Sequence, residues 1–159
     1  MSRGQYPATR MRRNRMTSFS RRLVAETTLS VDDLIWPMFV IEGSDSAEPV
    51  DSMPGVERHT IDRLVAQAGI AVELRIPVIA IFPAIDAALK DEDGSLARDG
   101  DNLVCRAVRA VKAAHRDLGI VCDVALDPFT SHGHDGVLHN GEIANDETVE
   151  ILCEQALRQ

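Results

Sequence analysis

Three apolar runs begin near residues 34, 77 and 120, 43 residues apart, and each is followed by a segment of helical period. This recurrence constrains the chain more than any other feature. The runs are Leu34–Ile41, Ile76–Phe82 and Ile120–Leu126. Each is short and apolar on consecutive positions, as strands covered on both faces are. Pro37 interrupts the first and Pro83 ends the second. Thr60 stands where a helix N-cap would, and Ile61, Leu64, Val65, Ala68 and Val72 after it share one helical face. A second helix is expected from about Asn102, with Val104, Ala107, Val108, Val111 and Ala114 inward and Gly119 beyond its end. A third starts near Asn145, carries Asp146 and Glu147 in its first turn, and is expected to bury Val149, Leu152, Cys153, Ala156 and Leu157. Residues Glu42–Gly55, 86–101 and Asp127–Gly141 read as loops. Strand and helix alternating three times predict an α/β fold, a parallel sheet covered by helices.

Three parallel strands make a small sheet with two apolar edges, which is an aggregation hazard. A closed (β/α)8 barrel needs eight units, about 340 residues at this period, and the sequence has 159. It stops at Gln159, inside the third helix and without a Gly or Pro stop signal. The expectation is the first three βα units of a (β/α)8 barrel, in a chain that looks truncated.

Composition narrows the function classes. With 45% hydrophobic and 26% charged residues the chain has a globular balance. No apolar run approaches the roughly 18 residues of a membrane span, which argues against a membrane protein. Residues 1–22 hold seven arginines and no acid, whereas the other 137 carry ten bases against 25 acids. An acidic body repels phosphate, so nucleic acid is not an expected partner. The basic segment has few apolar anchors (Tyr6, Met11, Met16, Phe19) and no helical or strand period; it is either disordered or laid against a partner. The expected organisation is an extended basic arm over 1–29 and a partial barrel domain over 30–159. Cys105, Cys122 and Cys153 form no CxxC pair and sit in apolar stretches, so they read as reduced core residues of a cytoplasmic protein. The Arg-rich start has no following apolar segment of the kind a secretory signal needs; a transit peptide shares its composition, but Pro7 and weak amphipathicity count against one.

The densest chemistry is Asp123-Val-Ala-Leu-Asp127-Pro-Phe-Thr-Ser131-His132-Gly-His134-Asp135-Gly136. Strand alternation would put Val121, Asp123, Ala125 and Asp127 on one face, with the two carboxylates about 13–14 Å apart. In α/β barrels the strand ends and following loops carry the active site. Asp123, inside an apolar strand, would need a partner or a raised pKa. A structural reading, hydrogen bonding at Asp123 and a turn at Asp127-Pro128, stands beside the catalytic one. The His-Gly-His-Asp piece could hold a metal, and a polar loop explains it equally well.

This stretch strongly resembles the metal-site segment of the porphobilinogen synthase (5-aminolevulinate dehydratase) family. Other pieces match in the same order: Arg12-Arg13, Arg21-Arg22-Leu23-Val24, Leu29–Ile35, Pro37-Met38-Phe39-Val40, Ser52–Val56, Phe82-Pro83, Asp91–Gly94 and Asn145–Thr148. The resemblance runs from about residue 7 to the end. It implies a (β/α)8 barrel of about twice this length, an N-terminal arm that embraces a neighbour, and a homo-oligomer, usually an octamer. It implies condensation of two 5-aminolevulinate molecules to porphobilinogen with loss of two waters, in tetrapyrrole synthesis. In the zinc branch, cysteines stand at the positions of Ala125, Asp127 and Asp135; none is Cys here. The chain therefore looks like the Asp-type branch, with no active-site zinc and either magnesium at Asp127 and Asp135 or no metal. The resemblance gives Asp123 a supporting catalytic role and places Phe82, Ser131 and His134 in the substrate pocket. The family's two Schiff-base lysines have no match: Lys90 and Lys112 are the only lysines, so this chain by itself is expected to be inactive. A non-catalytic chain that binds full-length subunits and modulates their assembly is the alternative. His59, His115 and His139 read as surface residues.

Overall fold

The structure, a computed structural model, describes residues 4–9 and 12–159. Arg3, Arg10 and Met11 of the basic segment lie outside the described residues. The chain forms two compact units, one ending at Ser30 and one comprising Val31–Gln159.

The first unit was expected to lack helical structure, yet it contains a 3-10 turn at Arg13–Arg15 and a short helix, α1 (Ser18–Leu23). Thr17 supplies the reason. Its hydroxyl accepts the Ser20 N–H at 3.4 Å as an N-cap, while the Arg21 guanidinium donates to the Arg15 carbonyl at 2.9 Å. These bonds are local, and none of the helix residues is buried.

The second unit is built on a five-stranded sheet in the order β2-β3-β1-β4-β5, with β1 Ile35–Ile41, β2 Ala47–Pro49, β3 Glu57–Thr60, β4 Val78–Pro83 and β5 Gly119–Cys122. β1, β4 and β5 are the three expected parallel strands. Trp36 lies opposite Ile79, Phe39 opposite Phe82 and Ile81 opposite Cys122. The helices are α2 (Ile61–Glu73), α3 (Leu103–Ala114) and α4 (Asn145–Arg158). A small hairpin of β6 (Leu138–His139) and β7 (Glu142–Ile143) precedes α4.

The expected loop after β1 instead contains β2, and β3 follows it. β3 runs parallel to β1, with Phe39 opposite Arg58 and Ile41 opposite Thr60, so that edge of β1 is covered over its C-terminal half. β5 ends the sheet order with an open edge.

One sheet face packs on helices. Met38, Val40, Ile79 and Ile81 meet Leu64, Ala68 and Ala71 of α2 and Leu103, Ala107 and Val111 of α3 in one core. Burial of each large side chain there stabilises the fold by about 1.5–3 kcal/mol. A second core joins Ala97, Val104, Leu126, Phe129, Val137 and Ile151. Asn102 caps α3: its Oδ1 accepts the Cys105 N–H at 3.0 Å and its Nδ2 donates to the Ala97 carbonyl at 3.3 Å. At the other end Lys112 Nζ donates to the carbonyls of Arg116 and Leu118 at 2.7 and 2.9 Å, satisfying orphan acceptors after the helix.

Several expected faces shift. Ala71, not Val72, completes the buried side of α2, and Ala114 of α3 is exposed. α4 buries Thr148, Ile151 and Gln155, while Val149, Cys153, Ala156 and Leu157 face outward. Gln155 fixes this rotation, because its Nε2 donates to the Ala125 carbonyl at 3.1 Å inside the core. Cys105 is buried, Cys122 half-buried and Cys153 exposed, so the third is no core thiol. His115 and His59 are half-buried rather than surface residues. The His115 Nε2 meets the Val65 carbonyl at 3.0 Å, and the His59 Nδ1 is shielded from solvent.

Candidate active site

Cys122 packs toward the second core and Ile81 toward the first, so the residues that follow them turn to the other sheet face. Those residues are Phe82 and Asp123. Phe39, opposite Phe82 in register, puts its ring 6.0 Å from the Phe82 ring at 42°. The C-terminal ends of β1 and β4 thus carry two aromatic rings on the face away from α2 and α3, and Asp123 follows the last residue of β5 in the chain. Phe39 was read only as part of a strand; its role appears once the register is known.

β5 ends at Cys122, four residues short of the expected strand. The backbone beyond is held by side chains instead of a ladder. The Ala125 carbonyl is taken by Gln155, and the Leu126 N–H is donated to Asp135 Oδ1 at 2.6 Å. Alternation therefore fails after Asp123: Val124 is exposed and Ala125 is buried. Asp123 is exposed at the strand end, so it carries no burial cost. Its carbonyl accepts from Gln159 Nε2 at 3.3 Å.

The loop after β5 folds against the acidic loop after β4. The Ser131 N–H donates to the Asp91 carbonyl at 2.8 Å, and the His132 Nε2 meets the Glu92 carbonyl at 3.0 Å. Thr130 Oγ1 donates to the His134 carbonyl at 2.8 Å, and the His132 and His134 rings lie 5.5 Å apart. Gly94 is buried at φ +61; a Cβ there would come within 3.3 Å of Thr130 Cγ2. The Asp91 carboxylate accepts from the Asp93 and Ser95 amides at 3.1 and 2.9 Å and from the Ser95 hydroxyl. These bonds, the Ser95 hydroxyl first, hold its pKa below the ordinary carboxylate value. Burial pushes the Cys122 thiol up, with Cys105 adding to the effect.

Ser131, His134, Asp127 and Asp135 thus share the loop that follows β5 and Asp123 in the chain. Ser131, His134, Asp127 and Asp135 are exposed. Among the described residues no group of three or more His, Cys, Asp or Glu side chains is placed to hold a metal ion. His132 is unsuited as a ligand, since both ring nitrogens are engaged by backbone groups. Lys90 follows the 3-10 turn Ala87–Leu89, and Lys112 lies on α3 with its Nζ on carbonyls of the following turn; neither stands on a sheet strand. No helix among the described residues is long and apolar enough to cross a membrane.

The model of the family described as "Delta-aminolevulinic acid dehydratase" matches residues 8–159. The delta-aminolevulinic acid dehydratase of Bradyrhizobium diazoefficiens is 55% identical over 152 residues, covering 96% of this chain and 43% of that protein. The Methanothermus sociabilis protein of the same name is 42% identical over 153 residues, covering 96% of this chain and 47% of its own. The crystal structure of the Toxoplasma gondii delta-aminolevulinic acid dehydratase (porphobilinogen synthase), in complex with the reaction product porphobilinogen, superposes with a TM-score of 0.88. It is 39% identical and covers 94% of this chain and 43% of that one. The chain spans less than half the length of these relatives.

Proposed function

The chain belongs to the delta-aminolevulinic acid dehydratase family, and from that premise we propose that it is the N-terminal portion of a porphobilinogen synthase subunit. The complete subunit condenses two 5-aminolevulinate molecules to porphobilinogen with loss of two waters, a lyase reaction of tetrapyrrole synthesis. The observation that carries this reading is the pairing of the Phe39 and Phe82 rings at the ends of adjacent strands, with Asp123 and a polar loop following β5, in a chain that superposes on a product complex.

In this reading the two rings form an apolar wall, and exposed Asp123 orients a substrate amine or accepts a proton. Ser131 and His134 supply polar contacts. Schiff-base chemistry needs a lysine whose amine is free at neutral pH. Lys112 Nζ is committed to two backbone carbonyls, Lys90 stands among acids, and neither matches a Schiff-base lysine of the family, so this chain alone is inactive. The alternative, a non-catalytic assembly modulator, has no observation favouring it.

For the metal, the donors are Asp127, which is exposed, and Asp135, whose Oδ1 is already committed to Leu126. Ala125 offers none. Two carboxylates without thiolate suit a hydrated magnesium ion and not a cysteine zinc site, and a metal-free site is equally compatible. Bound there, magnesium would supply a Lewis acid. The segment 1–29 acts as an arm on a neighbouring subunit of a cytoplasmic homo-oligomer, an octamer when complete. The exposed apolar side chains of Tyr6, Met16, Phe19, Leu23 and Leu29 support that role.

The test is a chimera in which this chain replaces the matching segment of the Bradyrhizobium diazoefficiens relative. Porphobilinogen formation from 5-aminolevulinate is expected, with strong loss in Asp123→Ala. A folded, inactive chimera would sink the reading. Borohydride trapping of 5-aminolevulinate on the 159-residue chain should leave no adduct; an adduct would overturn the assignment of both lysines as bystanders.

A further inference from the structure

We propose that His132 is a positioning residue: its imidazole, held as the Nε2–H tautomer, locks the loop bearing Ser131, His134 and Asp135 onto the acidic loop after β4. The tautomer follows from two bonds. The His134 backbone N–H can only donate, and it meets His132 Nδ1 at 3.1 Å, so Nδ1 must carry a lone pair. The Glu92 carbonyl can only accept, and it meets Nε2 at 3.0 Å, so Nε2 must carry the proton. A ring in the other tautomer loses both bonds together.

The two bonds have different reach. The Nδ1 bond spans two residues and shapes the turn through Gly133, whose φ is +72. The Nε2 bond spans forty residues and joins two βα loops. Ser131 and Asp91 make the neighbouring link, and Gly94 lets the loops approach. His132 is half-buried, whereas Ser131, His134 and Asp135 are exposed, so the imidazole is the anchor and the others are presented. Asp135 in turn holds the Leu126 amide. The consequence for catalysis rests on the pocket reading above; the geometry does not.

The experiment is nitrogen-15 NMR on the 159-residue chain. The imidazole shifts of His132 should report a single Nε2–H tautomer with a non-protonated Nδ1. A mixture of tautomers, or an Nδ1–H form, overturns the proposal without any mutation. Two conservative variants then separate the bonds. His132→Asn keeps an acceptor near the Nδ1 position and cannot reach Glu92; amide exchange should rise about fivefold at Ser131 and stay slow at His134. His132→Gln keeps a donor near the Nε2 position and loses the turn; the rise should move to His134. Equal effects of both variants at both amides would mean a merely structural ring and would also overturn the proposal. The chimera can fail to make porphobilinogen while this tautomer holds, and the reverse, so the two readings fall separately.

Discussion

Ile81 and Val121 are β-branched residues on adjacent parallel strands of one sheet, yet the first is 1% exposed and the second 46%. The difference is the face, not the residue type. Ile81 points at α2 and α3 with Met38, Val40 and Ile79. Val121 stands on the opposite face with Phe39 and Phe82, away from α2 and α3. Apolar sequence tells which positions can be buried, whereas burial itself needs a partner surface. In a chain spanning 43% of its Bradyrhizobium relative, one face has its helical partner and the other is left with exposed apolar side chains.

The largest effect should come from the packed face. Ile81→Ala removes buried methylenes from a core closed by two helices and should cost about 2–5 kcal/mol, read as a fall in the urea midpoint. A loss below about 1 kcal/mol would mean that this face is loosely packed and the contrast weak.

The next effect belongs to the loop that links the faces. Asp135→Ala leaves the Leu126 N–H without its acceptor beside a buried side chain. A cost of about 1–3 kcal/mol is expected. Asp135→Asn keeps an acceptor and should recover most of it in the same unfolding experiment. Equal losses in both variants would point to the charge, not the hydrogen bond, as what the loop requires.

The packed face was legible because its signals are local. Strands read from about 34, 77 and 120 are found from Ile35, Val78 and Gly119, and the helices lie where their period put them. β3 escaped because Glu57-Arg58-His59 has no apolar run; its pairing is with the β1 backbone. The rotation of α4 was unreadable for a related reason. A buried Gln155, chosen by a carbonyl thirty residues away, outweighs Val149 and Leu157, which a hydrophobicity pattern would bury. At the site, the sequence pointed to Asp123, Phe82 and the loop residues. Phe39 and the two-loop clasp through His132 required strand register and long-range hydrogen bonds, which spacing does not encode.

A smaller effect separates the clasp from the core by pH. The Asp91 carboxyl is held below its ordinary value of 3.8, first by the Ser95 hydroxyl. A lowered folded pKa contributes stability that is fully present above the unfolded value and lost as pH falls through 3.8 toward the folded one. The carboxylate is exposed and solvent-screened, so the contribution should stay below about 1 kcal/mol. Asp91→Asn should lower stability by up to that amount above about pH 5, where the carboxylate's contribution is complete, and by progressively less as pH falls through 3.8, which flattens that part of the acid profile. A variant as stable as the parent at neutral pH, with the same acid slope, would show that the Asp91 carboxylate contributes nothing to the turn.

The smallest effect is the sharpest test of the comparison. Val121→Ala, one strand from Ile81, removes methyl groups that already meet solvent, and should change stability by no more than about 0.5 kcal/mol. A loss approaching that of Ile81→Ala would mean that Val121 is covered in solution. A second copy of the chain could provide that cover by pairing along the open edge of β5, whose amides and carbonyls lack a strand neighbour on that side. Repeating the unfolding at tenfold different protein concentrations decides between the cases. A midpoint that rises with concentration assigns the cover to association, while a constant midpoint with a small Val121 effect leaves the two faces as unequal as their exposures.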